Sequence, residues 1–270
     1  MGDLVEKYDV KFKKKFGQNF LKDISVVKRI VNVADIRSNS LVIEVGPGGA
    51  IMTRELALVA DNVLAYEIDV DLADELSKRI SDFENINILF QDFLSSDLCN
   101  DVSKYNYDNL YFVSNVPYYI TTPILMKLVE SGLKFEKIVM MVQKEVGDRF
   151  STSSGNKEYG SITVLLNYFY NVKKEFFVSR KQFVPEPNVD SVIVSFSEKS
   201  EKLPLNDFKF FEKVVRDSFQ YKRKNLRNNL KNYDLDIVSD VLQEYGYDLT
   251  VRAEALDVNV FVDIANALKK

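Results

Sequence analysis

Five short apolar runs punctuate the first half of the chain: 41–45 (LVIEV), 63–68 (VLAYEI), 86–90 (INILF), 110–114 (LYFVS) and 138–142 (IVMMV). They are rich in β-branched and aromatic residues. They are also near-continuous rather than alternating, as strands buried on both faces read. Between them the spacing turns helical. Residues 71–80 (DLADELSKRI) open on an acidic cap, Asp71. Residues 122–131 open on Thr122 and Pro123, a cap followed by proline at the first helical position, and stop at Ser131-Gly132. Strand–helix alternation on this scale predicts a parallel, doubly wound sheet with its ligand at the carboxyl ends of the strands. The polar stretch 151–158 (STSSGNKE) reads as a loop and 191–197 (SVIVSFS) as a last strand.

Residues 197–207 (SEKSEKLPLND) carry charge and Pro204 but no apolar pattern, and read as a linker. Beyond it the pattern is helical throughout, over 206–219, 223–231, 235–245 and 257–269. The expectation is an α/β domain over 1–198 and a small all-helical domain over 199–270. There is no internal repeat. No run of 18 apolar residues predicts a membrane span. The lysine-rich first 30 residues lack the apolar centre of a secretory signal.

Composition narrows the chemistry. The chain has 270 residues, one cysteine (Cys99) and no histidine. That removes Ser-His-Asp and Cys-His catalysis, histidine- or cysteine-ligated zinc, haem and iron–sulfur centres, and an intrachain disulfide; no metal is expected. A lone cysteine fits a reducing, cytoplasmic setting. Lys+Arg number 36 against 40 Asp+Glu, a net charge of −4. The charge is uneven: +4 over residues 1–30, −8 over 31–200 and zero over 201–270. Basic side chains concentrate in Lys11, Lys13, Lys14 and Lys15, and in Lys222, Arg223, Lys224 and Arg227. Such clusters can bind nucleic acid on an acidic protein if they share a face. The alternative is a solvated helix face or an amino-terminal tail.

Glu44-Val45-Gly46-Pro47-Gly48-Gly49 ends the first strand, where glycines permit a sharp turn and close approach of a ligand to the backbone. Glu67 lies 21 residues beyond Gly46, at the end of the second strand, where an acid accepts both ribose hydroxyls. Asp92 follows the third strand and suits an adenine amino group, or else only caps the next helix. NAD also calls for glycines and an acid at this spacing, but the GxGG pattern departs from GxGxxG and favours S-adenosylmethionine.

After the fourth strand comes Ser114-Asn115-Val116-Pro117-Tyr118-Tyr119. An exocyclic amine on a base is a poor nucleophile because its lone pair is conjugated with the ring. Two acceptors aimed at its N–H groups favour the tetrahedral form that releases the lone pair. The Asn115 amide oxygen and the Val116 carbonyl beside rigid Pro117 can supply them, and Tyr118 can stack on the base. Asn and Pro also build ordinary strand-to-helix turns. The position of this tip, after a glycine loop, Glu67 and Asp92, favours the catalytic reading.

These stretches resemble the ribosomal RNA small-subunit adenine dimethyltransferases. The likeness runs nearly end to end. It takes in Phe16 to Leu21, Glu44 to Gly49, Glu67 to Asp69, Asp92 to Leu94, Asn115 to Tyr119, Gln143 to Val146, Phe183 to Ser191 and Lys222 to Leu230. The resemblance implies a Rossmann-like class I methyltransferase sheet and S-adenosylmethionine as cofactor. It implies dimethylation of N6 of two adjacent adenines in the 3′-terminal hairpin loop of 16S rRNA, and so a part in small-subunit biogenesis. It implies that Asn19 and Leu21 close over the cofactor and Gly46 meets it through its backbone. Glu67 would hold the ribose, Asp92 the adenine, and Asn115 would line both cofactor and target. Phe183 would form a second aromatic wall opposite Tyr118. Val116 stands where the family more often has Leu or Pro, and Ala50 and Ile51 replace more usual residues after the glycine loop.

A loop adenine is poorly stacked and cheap to flip out, and loops are where RNA is read by sequence. Lys13, Lys14, Lys15, Lys222, Arg223, Lys224 and Arg227 would grip flanking phosphates, with Lys224 and Arg227 on one helix face and Lys222 and Arg223 at the start of the same helix. The expected partner is 16S rRNA in an immature small subunit, met by a monomer, with no membrane involved. The alternatives are a large-subunit rRNA adenine methyltransferase of the macrolide-resistance type and a non-catalytic assembly factor on the same scaffold. The Phe183–Ser191 and Lys222–Leu230 stretches argue against the first, and an intact Asn115–Tyr118 tip against the second.

Overall fold

The computed structural model describes residues 20–269. They form two compact units, one of residues 20–147 with 173–198 and one of 148–172 with 199–269.

The first unit contains β1 (Phe20–Leu21), α1 (Ile24–Ala34), β2 (Ser40–Val45), α2 (Ile51–Ala57), β3 (Asn62–Glu67), α3 (Ala73–Ile80), β4 (Ile86–Phe90), α4 (Leu98–Val102), β5 (Asn109–Ser114), α5 (Thr121–Glu130) and β6 (Lys137–Gln143). After α6 (Lys144–Phe150) and α7 (Ser161–Phe169) come β7 (Tyr170–Val178), β8 (Phe183–Val184) and β9 (Ser191–Glu198). Seven strands make one sheet in the order β4-β3-β2-β5-β6-β9-β7. The five from β4 to β6 are parallel and β9 runs antiparallel to β6. Every residue of β2 is buried, as its unbroken apolar run predicts for a central strand. The chain leaves β2 toward β3 and β4, then returns to the other side of β2 at β5. The switch point therefore lies between the carboxyl ends of β2 and β5, where an open α/β sheet binds its ligand. α1 lays Val26, Val27, Ile30, Val31 and Ala34 against a core shared with Val42, Val113, Val139 and Ile193.

The second unit adds α8 (Phe208–Ser218), α9 (Leu226–Asn229), α10 (Leu235–Glu244) and α11 (Val258–Leu268). Residues 148–172 cluster with these helices rather than with the sheet, unlike the contiguous division at 198 that the sequence suggests. Aromatic packing is the reason. Tyr168 meets Phe211 with ring centroids 5.4 Å apart, Phe169 meets Phe208 at 5.3 Å and Tyr159 meets Phe219 at 6.1 Å.

Several local expectations shift. The cap before α3 is Asp69, whose carboxylate accepts the Asp71 amide of a preceding 3-10 turn, and Asp71 is not the cap. α5 starts at Thr121 behind another 3-10 turn, Tyr118–Ile120, and Thr122 is inside the helix. The helix expected over 223–231 is only Leu226–Asn229, capped by the Asn225 side chain on the Asn228 amide. Lys222, Arg223 and Lys224 sit on the turn before it, so Lys224 and Arg227 do not share a helix face.

Candidate functional site

The tips of β2, β3, β4 and β5 surround a cavity of about 230 Å³ in the first unit. Leu21, Gly46, Glu67, Asp92, Asn115, Val116, Pro117 and Tyr118 all line it. Topology brought the strand-end residues Gly46, Glu67 and Asp92 together and the family resemblance added Leu21; the structure places all of them, with Asn115–Tyr118, around one space. Asn19, Lys13, Lys14 and Lys15 lie outside the described residues.

The glycine loop is shaped by backbone geometry. Gly46 (φ 76°) and Gly48 (φ 52°) adopt left-handed conformations that glycine takes without strain. The Gly46 amide donates to the Tyr66 carbonyl at 2.8 Å, which ties the loop to the end of β3. Glu67 is nearly fully buried and braces the same loop. One carboxylate oxygen accepts the Gly48 amide at 3.2 Å and the other the Asp69 amide at 2.9 Å. Burial raises the pKa of Glu67 above the usual carboxylate range, and these backbone donors oppose the shift. Arg79 of α3 backs the loop from behind, donating to the Gly49 carbonyl at 2.9 Å. Ala50, one of the departures from family usage, sits in a left-handed conformation (φ 57°) that costs a non-glycine residue strain.

Glu44 enters the site although no role was read for it. It lines the cavity and is buried, and its Oε2 has no hydrogen-bond partner. Burial pushes its carboxyl up to about 8. The nearby Glu67 charge adds to the shift and the Thr53 hydroxyl opposes it. The only sequence signal was a charged residue inside an otherwise apolar strand, 41–45.

Asp92 caps the next turn and also lines the cavity. Its Oδ1 accepts the Leu94 amide at 3.0 Å, capping a 3-10 turn, and the residue still lines the cavity. The following Phe93 is buried edge-on to Tyr66 with centroids 5.1 Å apart. Lys127 of α5 reaches across to this loop, donating to the Leu94 carbonyl at 3.0 Å and the Ser96 carbonyl at 2.6 Å. Its ammonium lies 5.4 Å from the Phe93 ring centre. Lys127 was invisible to the sequence because it reads as a solvated helix position.

The Asn115–Tyr118 tip is pinned at both ends. The Ser114 hydroxyl donates to the Val45 carbonyl at 2.7 Å and accepts the Val45 amide at 3.3 Å, so β5 and β2 stay joined where their ladder ends. Val116 is buried. The Ile120 amide donates to the Pro117 carbonyl at 3.1 Å, closing the turn. Tyr118 is tethered through its hydroxyl, 2.7 Å from the Ser191 Oγ, and partial burial raises its pKa above the ordinary phenol value.

Phe183 departs from the expectation. It is fully buried in the apolar core with Leu21, Val178 and Ile193, and it is not among the residues lining the cavity. A ring enclosed on all sides cannot form the wall opposite Tyr118 in this conformation. Its effect on the site is indirect: in the β1–β8 pair it stands directly across from Leu21, which does line the cavity. In the second unit, Lys222, Arg223, Lys224 and Arg227 are all exposed.

Comparison with known proteins decides the family. Residues 9–270 match the family model described as "Ribosomal RNA adenine dimethylase". The chain belongs to this family. Among its relatives, the "Ribosomal RNA small subunit methyltransferase A" of Streptococcus gordonii is 41% identical over 98% of this chain and 95% of its own length. The protein of the same name from Bacillus mycoides is also 41% identical, covering 98% of this chain and 94% of its own. A solved dimethyladenosine transferase from Plasmodium falciparum superposes with a TM-score of 0.77 at 26% identity, over 91% of this chain and 95% of its own. The 23S rRNA methyltransferase ErmE superposes at 0.71 and 26%, over 93% and 100%.

As a ribosomal RNA adenine dimethylase, the chain uses S-adenosylmethionine, and the cavity fits it. The cofactor carries a sulfonium, an amino-acid ammonium and carboxylate, a ribose diol and an aminopurine, with a net charge of +1 near neutral pH. The cavity offers the unpartnered buried Glu44 Oε2, the Glu67 carboxylate, Asp92 and the glycine loop. No described helix is long and apolar enough to cross a membrane.

Proposed function

We propose that this protein dimethylates N6 of two adjacent adenines in the 3′-terminal hairpin loop of 16S rRNA. The observation that carries the reading is near-full-length likeness, at 41% identity, to proteins named for small-subunit rRNA methylation. The large-subunit reading rests only on a shared fold at 26% identity.

When bound, S-adenosylmethionine supplies an electrophilic methyl group on a sulfonium. The rest of the chemistry falls to this chain. Glu67 is placed to hold the ribose, Asp92 to receive the adenine amino group through the oxygen not spent on Leu94, and Gly46 and Leu21 to enclose the cofactor. Glu44, whose burial favours the neutral acid, can ionise toward the cationic groups of the ligand as they approach. Asn115 and the Val116 carbonyl accept the two N–H groups of the target amine, which weakens lone-pair conjugation with the ring. Tyr118, held by Ser191, stacks on the flipped base. No side chain need remove a proton before transfer, so positioning and electrostatics carry the catalysis. The surrounding setting is a monomer in the cytoplasm acting on an immature small subunit, with residues 199–270 docking on rRNA.

Small subunits lacking the modification, incubated with the protein and methyl-labelled cofactor, will take up label on two adjacent adenines near the 3′ end of 16S rRNA. Label on large-subunit RNA, or none, overturns the reading.

A further inference from the structure

The basic stretch of the second unit is a built turn, and an aromatic residue leads it. After α8 the chain turns through residues 219–224, closed by the Lys224 amide on the Tyr221 carbonyl at 2.8 Å. Asn229, buried on α9, holds this turn from beneath. Its Oδ1 accepts the Tyr221 amide at 3.1 Å, and its Nδ2 donates to the Ser218 carbonyl at 2.7 Å, with longer contacts to the Tyr221 and Lys224 carbonyls. The helix beneath is anchored in turn: the Leu226 and Arg227 amides donate to the carbonyls of Val251 and Leu249 at 2.9 and 3.0 Å.

All the interior hydrogen bonding of the turn is thus made by backbone and Asn229; Phe219 at its start packs on Phe261, and the side chains of 221–224 make no hydrogen bond or ion pair among the described residues. Tyr221 is 56% exposed, and its hydroxyl makes no hydrogen bond among the described residues. Three other tyrosines of this unit contrast with it. Tyr233 donates to Asp217, Tyr245 to Asp263 and Tyr168 to the Leu203 carbonyl. Lys222, Arg223 and Lys224 are exposed and, among the described residues, take part in no ion pair. Arg227 differs, because it lies near Asp248, whose carboxyl is lowered chiefly by hydrogen bonds from Thr250 and to a lesser degree by the Arg227 charge.

We propose that the 221–224 turn is a nucleotide clamp for single-stranded or looped rRNA, in which Tyr221 stacks on an unpaired base and Lys222, Arg223 and Lys224 hold the adjoining phosphates. This rests on the rRNA methyltransferase reading and adds to it a base contact outside the cofactor cavity. Three free cations alone would bind any phosphate backbone. A rigidly presented ring among them selects RNA with an unstacked base, because the ring has a face to offer and duplex bases do not.

The two contributions separate by salt. Phosphate contacts set the slope of log affinity against log salt, and stacking does not. Full-length protein is titrated with small subunits lacking the two dimethyladenines over a KCl series. Tyr221→Ala weakens binding about tenfold at every salt concentration with the slope unchanged, and Tyr221→Phe binds as the parent does. The triple Lys222→Ala, Arg223→Ala, Lys224→Ala variant flattens the slope by about two to three. A Tyr221→Ala curve superimposable on the parent, or a Tyr221→Phe variant as weak as Tyr221→Ala, overturns the clamp. Methyl transfer by the unaltered protein to the same subunits is read in parallel, and its absence fails the dimethyltransferase reading instead.

Discussion

Replacing Glu44 by glutamine keeps the shape of a buried cavity-wall residue and removes its titration. The Glu44 carboxyl rises from an ordinary 4.5 to about 8 in the fold, with burial as the largest cause. A raised folded-state pKa means that the folded protein holds this proton more tightly than the unfolded chain. Stability is therefore full below about pH 4.5 and falls as pH rises toward 8. Each tenfold change in proton affinity corresponds to ~1.4 kcal/mol, so the loss is ~1 kcal/mol at pH 5, ~3 at pH 7 and ~5 at pH 9. Glu44→Gln escapes this loss. Urea unfolding of the ligand-free protein at those three pH values measures the difference directly. The advantage of the glutamine variant over the parent should widen by ~4 kcal/mol from pH 5 to pH 9. Parallel stability profiles for the two proteins would refute the reasoning and show Glu44 to be solvated or paired. Above about pH 8, where the parent carboxyl is ionised, the same substitution removes negative charge from the cavity, so calorimetry at pH 9 should show weaker S-adenosylmethionine binding even where the fold is more stable.

Asn115→Ala should cut methyl transfer at least ~100-fold, by analogy with loss of one preorganised hydrogen-bonding group in other active sites, with an unchanged melting temperature. Full activity would remove Asn115 from the chemistry. Glu67→Ala deletes an acceptor that also braces Gly48 and Asp69, and should raise the cofactor Kd by ~10- to 100-fold in calorimetry. Unchanged affinity would take Glu67 out of the site. Lys127→Met frees the Asp92 loop from α5 and should raise the KM for cofactor while leaving kcat near the parent value, with Lys127→Arg restoring it. Equal losses in kcat and KM in both variants would mean that Lys127 only stabilises the fold.

The sheet was legible because its strands are continuous apolar runs, and burial on both faces leaves little else for such runs to do. The site was legible for a related reason: ligand residues sit where those runs end, so finding strand ends finds the crevice. What the sequence hid were residues acting through geometry rather than type. Ser114 looks like one more strand residue until its hydroxyl is seen joining β5 to β2. The helical pattern of 223–231 predicted about two and a half turns of helix, but the Asn225 cap delays the start and leaves Lys222, Arg223 and Lys224 on a turn held by Asn229. Residues 148–172 are marked in the sequence only by the polar stretch 151–158, which reads as a loop and not a boundary; the packing of Tyr159, Tyr168 and Phe169 on the helices assigns them to the helical unit. Phe183 is enclosed in the core rather than on the cavity wall, which could not be read beforehand because a motif identifies an aromatic residue without saying which way its ring faces.

The total absence of histidine now connects with where charge sits in this cavity. In the proposed reading, the groups set against the target amine are an amide oxygen and a backbone carbonyl, and neither titrates in water's accessible range. The groups that do titrate, Glu44 and Glu67, line the same cavity on the cofactor side, and burial raises both. Protonation is thus separated from methyl acceptance. Raising pH ionises the acids that attract a cationic cofactor and leaves the hydrogen-bond acceptors for adenine unchanged. An imidazole at the acceptor position would add a second titration near neutrality, and it would present an N–H where the amine needs a lone pair. An acceptor set of Asn115 and Val116 avoids both, which makes the lack of histidine chemically consistent with transfer from an activated methyl donor.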